Sequence, residues 1–571
     1  MVKWKLKEKV NIDSAGTIDL HPVALQLLFQ RGIDTLEGIN RFVFPDYERD
    51  ILDPFLFSQM KKAVERVQQA KENGKPVAIF GDYDADGITS VIILEEVLND
   101  LGINPIVYIP DKKSEGYGMN ERAVEELARR KVKLIITVDC GITNINEVEK
   151  ANQKGIDVII IDHHHVPANL PGALAIINPR LSDSSYPFRE LAGVGVAFKV
   201  AQALYQMLLP GKIEQTKWML DLVAIGTVAD CVPLVGENRT VVKYGLIVLS
   251  KTRRMGLREL FAVGRIAVDE SNPPDTRKIS FQIAPRINAA GRMDHANVAY
   301  HLLIEKDQVK ARTRALEIEA TNQKRQQVTD RVAEEVRILA NTIFKDKKLI
   351  FAVGEHFPIG VAGLVAGKIA EEFNKPTAVL QKGEKESTGS FRSIPQINII
   401  ETIESLGRWL LKYGGHSQAA GITVTNKNLE KFYEGLNKLI EKELEGKEIS
   451  PEVEIDAEIT PADVDFELAE TLEKFAPFGE GNPEPVFLMK NLTVDKLKTV
   501  GNGNQHLKVY LRSTDGPPKI FEAIGFNLNE QFGHLKENDV IDVLFNLQLD
   551  NWNGNKKIQL KLIDLRPAIN K

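Results

Sequence analysis

Cysteine is nearly absent: Cys140 and Cys231 are the only two thiols in 571 residues. Two thiols cannot build a disulfide framework and fall short of a four-cysteine zinc site. Any metal has to be held by carboxylates and imidazoles. Long apolar runs are missing too. No stretch approaches the ~20 consecutive apolar residues of a membrane span. The opening MVKWKLKEKVNIDS lacks the apolar run of a signal peptide, so a cytoplasmic protein without membrane partners is expected. No Gly-Lys pair carries the glycine before it and the Ser or Thr after it that a Walker A loop needs, so ATP is not an expected ligand. There is no excess of positive charge either: 73 Lys+Arg stand against 79 Asp+Glu, for a net charge of -6. Taken alone, that balance argues against nucleic acid as a partner. The deficit is uneven. Residues 451–571 hold 13 basic and 20 acidic side chains, yet 490–519 is locally basic with six Lys+Arg against two Asp. With 43% hydrophobic and 27% charged residues the rest is ordinary for a globular chain, and the length predicts roughly three or four domains.

Between about residues 76 and 235, short β-branched runs alternate with helical patterns: VAIF at 77–80, IVYI at 106–109, KLIITVD at 133–139 and DVIIID at 157–162. Runs without polar alternation suit strands buried on both faces of a parallel sheet, with helices such as 89–100 and 120–130 covering it. From Glu305 to Asn341 there is no Gly or Pro, which predicts a connecting helix of roughly 35 residues and ~50 Å. A second α/β pattern follows, with LIFAV at 349–353, a helix over 360–374, TAVLQ at 377–381 and a Gly-rich turn at 414–421, ending near Lys447. From 450 onward, short strands punctuated by Asn-Gly turns read as a small antiparallel barrel or sandwich. The first 75 residues read as mostly helical with Pro breaks.

The densest chemistry lies in Gly81-Asp82-Tyr83-Asp84-Ala85-Asp86-Gly87, directly after the strand VAIF and before a helix expected to start near Thr89. Three carboxylates within five residues repel one another unless a cation neutralises them. A calcium-binding helix-loop-helix opens in the same way, but its twelfth position needs a bidentate Glu, and here Ile93 stands there, behind a strand rather than a helix. Three further segments repeat the geometry. Asp139 ends the strand KLIITV, Asp162-His163-His164-His165 ends the strand DVIII, and Asp230 follows the apolar run LVAIGTVA. Functional groups gather at the carboxyl ends of strands in an open parallel sheet, so the four segments can share one crevice. Together they can hold two divalent ions ~3.5 to 4 Å apart, the spacing of metal-assisted phosphoryl hydrolysis. Mixed oxygen and imidazole ligands without thiolate suit Mn²⁺ or Mg²⁺. Cys140 and Cys231, each next to a candidate Asp, read as packing residues, and His165 beside Pro167 as a surface residue.

DYDADG, VDCG, DHH and GTVADCVPL, in this order, resemble the four motifs of the DHH phosphoesterase superfamily. Within it the chain resembles the bacterial single-stranded-DNA-specific exonucleases, through IAPRINAAGRMDHA at 283–296, the helical TNQKRQQV and GGHSQAAG at 414–421, a signature of the DHHA1 domain. The C-terminal strands resemble the OB-fold appended in that family. The resemblance implies an α/β fold in parts: an N-terminal segment over 1–75 packed on a parallel-sheet DHH domain at 76–300, a connecting helix at 301–345, a smaller α/β DHHA1 domain at 346–447 and an all-β OB-like barrel at 450–568. It implies metal binding at Asp82, Asp84, Asp86, Asp139, His163, His164 and Asp230, with Asp84, Asp86, Asp139, His163 and His164 in the chemistry. Asp139 with Asp84 or Asp86 is the expected bridge between ions, and His164 or His165 is left to orient the phosphate or act as acid. The implied activity is metal-dependent 5′→3′ hydrolysis of single-stranded DNA to mononucleotides, in repair and recombination, by a monomer working with a helicase and a single-strand-binding protein. Other enzymes of the superfamily, such as oligoribonucleases, 3′-phosphoadenosine phosphatases and cyclic dinucleotide phosphodiesterases, are generally built without the connector and barrel. A catalytically dead scaffold would have lost ligands, whereas every motif carboxylate is present here.

Substrate-binding candidates lie outside the carboxylates. Ser390, Arg392, Ser393, Gly415 and His416 offer a guanidinium, hydroxyls and close-approach amides suited to phosphates. Lys112, in IPDKKSEGYG, stands where the resemblance leads one to expect an arginine, a point charge in place of a fork. Arg286, Asn288 and Arg292 are candidates for the same cleft. In the barrel, period-2 alternation puts His506, Lys508, Tyr510 and Arg512 on one face, and Trp552 offers a stacking platform.

Overall fold

The structure, a computed structural model, describes all residues except 1, 12–17, 112–114, 117, 294–295, 448, 514–517, 551–555 and 569–571. The Val- and Ile-rich runs of the first domain form a five-stranded, all-parallel sheet. Its spatial order is Ile106–Tyr108, Val77–Gly81, Leu134–Val138, Asp157–Ile161 and Ala175–Ile177. The winding direction reverses between Val77–Gly81 and Leu134–Val138, so the loops leaving their carboxyl ends part to opposite faces and open a crevice. Both strands are wholly buried. Alternate side chains serve two cores. Val77 and Ile79 face the helices Met60–Glu72, Ala85–Asp100 and Gly193–Leu208, while Ala78 and Phe80 face Glu121–Arg129 and Ile145–Gln153.

Two local expectations are corrected here. The helix expected near Thr89 begins at Ala85, because the Asp84 carboxylate caps it by accepting from the backbone N–H groups of Asp86 (2.9 Å) and Gly87 (3.0 Å). The run before Asp230 is no strand but the helix Leu220–Ala229, buried from Leu220 to Val228. It is enclosed on all sides, so it shows no polar face from which a helical period could be read.

The connecting helix spans Gln308–Asn341, 34 residues, or about 50 Å at 1.5 Å per residue. It packs on Ala284–Met293 of the first domain and on Ile359–Phe373 of the second. The second domain carries a mixed five-stranded sheet ordered Leu410–His416, Ala419–Thr425, Glu386–Arg392, Thr377–Lys382 and Ile350–Gly354, with only the last pair parallel. The expected Gly-rich turn at 414–421 is a β-hairpin whose strands meet at His416 and Ala419.

The third unit is a barrel. Phe487–Val500, His506–Ser513, Ile520–Gly525, Lys557–Pro567 and Val540–Asp550 follow one another, and the first pairs back onto the last to close it. The N-terminal segment divides, in place of packing wholly on the first domain. Lys3–Leu6 pairs in parallel with Glu452–Ile455, and Ala24, Leu27, Leu28 and Phe42 share a core with Phe475, just before the barrel, and with Phe487 and Phe545 of the barrel. Phe57, Met60, Val64 and Val67 join the core of the parallel-sheet domain.

Candidate metal centre and phosphate face

The crevice at the sheet's reversal point collects the acidic segments. Asp82 follows Val77–Gly81, Asp139 follows Leu134–Val138, and Asp162 and His163 follow Asp157–Ile161. Asp230 enters from the carboxyl end of Leu220–Ala229. Ligand atoms fall into three overlapping groups, each within 4.8 Å: Asp139, His163 and His164; Asp86, His163 and Asp230; Asp82, Asp84 and Asp139. All seven sequence-predicted metal candidates are thus brought together, with Asp139 and His163 each belonging to two groups.

Backbone geometry aims these groups. Asp139 sits at φ 58, a left-handed conformation unusual for a non-glycine residue. Gly193 packs against it, and a Cβ there would come within 2.6 Å of Asp139 Oδ1. Asp86 is the second residue of its helix and accepts from the Gly193 and Val194 N–H groups (2.7 and 2.8 Å) at the start of Gly193–Leu208, where helix amides favour negative charge. Asp162 is fully buried. Its Oδ1 accepts from the backbone N–H of His163 (2.8 Å) and His164 (3.1 Å) and lies 2.7 Å from His164 Nδ1, while Oδ2 accepts from the Ile142 N–H at 2.9 Å. Asp162 therefore orients the histidines in place of facing the crevice. Sequence reading missed this role and that of Gly193; only the Gly-rich GVGV at the helix start hinted at the second.

Electrostatics fit a cationic ligand. Burial, then repulsion by Asp86, Asp84, Asp82 and Asp230, drives the Asp139 pKa well above the usual carboxylate range. Asp86 is raised for the same reasons, burial first and Asp230 next. Asp230 is pushed up to about 7 by burial and Asp84. His163 goes the other way, to about 3, through burial and the neighbouring His164. The buried Nε2 makes no hydrogen bond among the described residues. That nitrogen faces Asp139 (3.2 Å), Asp230 (3.5 Å) and Asp86 (3.9 Å). Carboxylates this close repel one another until a cation stands among them, and neutral nitrogen with ionised oxygen is a donor set suited to Mn²⁺ or Mg²⁺. Cys140 is buried in the neighbouring core, outside these groups.

The second domain faces this centre, with the ring centroids of His165 and His416 5.8 Å apart. Register places His416 and Arg392 on either side of Ala419, and Gly414 and Ser390 on either side of Gly421. Paired residues of an antiparallel sheet share a face, so small residues form a floor from which Arg392, Ser390 and His416 stand. Gly415, at φ 152, belongs to the opposite row, where a Cβ would meet the Ala419 carbonyl at 2.3 Å. Ser393 donates its hydroxyl to the Ile397 carbonyl (2.9 Å). Arg392 lies along a glycine stripe of Ile359–Phe373, its Nη2 3.3 Å from where a Cβ on Gly363 would be. Arg292 reaches the start of the same helix, its Nη1 3.4 Å from the Gly360 carbonyl. Among the described residues neither guanidinium has a carboxylate within 4.0 Å. Burial and then Arg292 lower the Arg392 pKa; burial lowers that of Arg292, partly opposed by Asp84.

Other candidates are placed elsewhere. Arg286 does not face the crevice: it pairs with Glu319 of the connecting helix at 2.7 Å and donates to the Gln282 carbonyl. Asn288 is a brace, its Oδ1 accepting from the Ala85 N–H at 2.7 Å and so fixing the start of the acidic helix. His506, Lys508, Tyr510 and Arg512 alternate with buried neighbours as expected. However, Lys508 is ion-paired to Glu522 across the strands, Arg512 lies 3.8 Å from Asp495, and His506 Nδ1 accepts from the Asn527 N–H. Lys112 and Trp552 fall outside the described residues.

A parallel-sheet domain with a buried acidic and imidazole cluster at its reversal point, faced by arginines without carboxylates, defines a metal-dependent phosphoesterase. Comparison with known proteins agrees. Residues 76–227 match the DHH family, N-terminal domain, 346–442 the DHHA1 domain, and 455–564 the RecJ OB domain. The chain is 36% identical, over 96% of its length and 68% of the relative's, to the single-stranded-DNA-specific exonuclease RecJ of Bacillus subtilis. The crystal structure of Thermus thermophilus RecJ in complex with Mn²⁺ superposes with a TM-score of 0.83 at 27% identity, covering 100% of this chain and 80% of that one. The Mg²⁺ complex of the same protein gives 0.77 at 26%, covering 100% and 79%. The chain belongs to the RecJ family of single-stranded-DNA-specific exonucleases.

Proposed function

We propose that this chain is a metal-dependent exonuclease that removes mononucleotides from the 5′ end of single-stranded DNA. The observation that carries this reading is His163 Nε2, within 3.9 Å of Asp86, Asp139 and Asp230, in a cluster of seven candidate ligands met by a second domain whose His416 ring lies 5.8 Å from that of His165. Two divalent ions, Mn²⁺ or Mg²⁺, would supply water activation and charge neutralisation at phosphorus. Asp82, Asp84, Asp86, Asp139, His163, His164 and Asp230 would hold them, with Asp139 common to two of the ligand groups. Asp162 keeps the His164 ring in place through its 2.7 Å contact. Arg392 and Ser390 grip the terminal phosphate opposite the metals, with Arg292 beside them. Arg286 and Asn288 support this machinery without touching substrate.

A cleft of about 870 Å³ continues from Val228 and Cys231, on either side of Asp230, to Phe281, Phe478 and Leu549. Its mostly apolar lining suits unpaired bases better than a duplex backbone. Because the chain carries no ATP motif, a helicase partner opens duplexes and a single-strand-binding protein presents the strand; the enzyme acts in the cytoplasm as a monomer in DNA repair and recombination. Matched DNA and RNA oligonucleotides, labelled at either end with and without a 5′-phosphate, test the reading in Mn²⁺. Mononucleotides released first from the 5′ end of DNA are expected. Release from the 3′ end, or equal digestion of RNA, would refute it.

A further inference from the structure

The helix Gly236–Ser250 begins a few residues after Asp230, and its first turn buries three consecutive polar side chains, Glu237, Asn238 and Arg239. Each holds a different piece of the molecule. Glu237 accepts from the Leu52 N–H at 3.1 Å and contacts Lys199 and Tyr186. Asn238 donates to the carbonyls of Glu190 and Pro233. Arg239, only 2% exposed, donates to four backbone carbonyls. These are Phe42 (3.0 Å) on the N-terminal segment, and Lys474 (2.8 Å), Phe475 (2.7 Å) and Ala476 (3.0 Å) before the barrel. The last three follow the helix Phe466–Glu473, whose carboxyl end leaves carbonyls unpaired and favours a cation. The guanidinium also lies 4.0 Å from the Phe42 ring centroid, and no carboxylate among the described residues lies within 4.0 Å of it. A second tie runs alongside, from the Leu234 N–H to the Glu480 carbonyl at 2.7 Å.

We infer that Arg239 is a positioning residue: its fork seats the barrel and the N-terminal helices on the catalytic domain and so fixes the far wall of the cleft that begins at Val228 and Cys231, the neighbours of Asp230. The wall in question, Ala476 to Glu480, directly follows the carbonyls that Arg239 holds. A strand long enough to run from the metals into the cleft feels this seat. A dinucleotide does not. The inference rests on the nuclease reading above, and only for its kinetic test.

The experiment uses the full chain with Arg239→Met, which keeps bulk and removes every donor, and Arg239→Lys, which keeps the cation and loses the fork. Hydrolysis in Mn²⁺ is compared on a 5′-phosphorylated dinucleotide and a 5′-phosphorylated 20-nucleotide DNA. For Arg239→Met, kcat on the dinucleotide should stay within about twofold while KM for the long strand rises about tenfold or more, the signature of lost binding without lost chemistry. Arg239→Lys should fall between. Amide hydrogen exchange gives a readout independent of activity: it should quicken at 22–43 and 466–482 and stay unchanged in Val77–Gly81 and Leu134–Val138. Equal loss on both substrates, no loss on either, or unfolding of the whole chain with exchange raised throughout would overturn the inference. A wild-type chain inert on both substrates would sink the nuclease reading and leave the exchange test of the seat standing.

Discussion

Two clusters of basic side chains invite comparison, the arginines at the junction of the α/β domains and the basic row on the barrel strand His506–Ser513. Both are legible in the sequence as phosphate binders. In the fold, Lys508 is neutralised by Glu522 and Arg512 approaches Asp495, so phosphates would have to displace acids already in place. Arg392 and Arg292 have burial, glycine surfaces and each other, with no carboxylate within 4.0 Å among the described residues. The metal centre is the mirror image, carboxylates gathered closely enough to raise one another's pKa values. Like charges crowded in a buried place cost stability unless a ligand offsets them, and a phosphate bound to metal would meet both sets. Charge compensated by a neighbour builds structure.

That contrast can be broken from several sides. Asp139→Ala removes the carboxylate common to two ligand groups and should lower Mn²⁺-dependent hydrolysis by on the order of a thousandfold or more, with DNA binding in EDTA still measurable by fluorescence anisotropy. Arg392→Ala deletes an uncompensated cation; since hydrogen bonds to charged groups contribute about 1.5–3 kcal/mol, kcat/KM on 5′-phosphorylated strands should drop roughly 10- to 100-fold, and less on strands lacking the phosphate. Asp162→Asn puts an amide where Oδ1 and Oδ2 together meet four donors, and a loss of roughly tenfold in Mn²⁺ affinity, read by calorimetry, is expected. Lys508→Ala, removing a compensated cation, should change single-strand affinity by no more than about twofold. A large effect there, paired with a negligible one at Arg392, would reverse the contrast.

The carboxylates were readable because short acidic segments directly follow apolar runs, and a buried parallel strand leaves few other ways to write VAIFGDYDADG. His163 lands within 4 Å of both Asp139 and Asp86 because strand order brings their loops to one crevice. Other features depend on partners far along the chain. Nothing local in Arg286 or Asn288 reveals Glu319 or the Ala85 N–H, and the Lys508–Glu522 pair follows from a cross-strand register. The N-terminal segment was misplaced for the same reason: Lys3–Leu6 pairs with Glu452–Ile455, a long-range contact that propensity does not encode. The net charge of -6 misled as a partner test, because acids concentrated beyond residue 450 mask a roughly neutral remainder in which site charges, not totals, decide binding.

The central claim is that the crevice holds two divalent ions among the gathered carboxylates and imidazoles. Calorimetric titration of Mn²⁺ into metal-stripped protein, wild type beside Asp139→Ala, tests it most directly. The account predicts two ions per wild-type chain and loss of at least one site, together with hydrolysis, in the variant. A wild-type chain that binds no Mn²⁺, or a variant that keeps both ions and full activity, would contradict it.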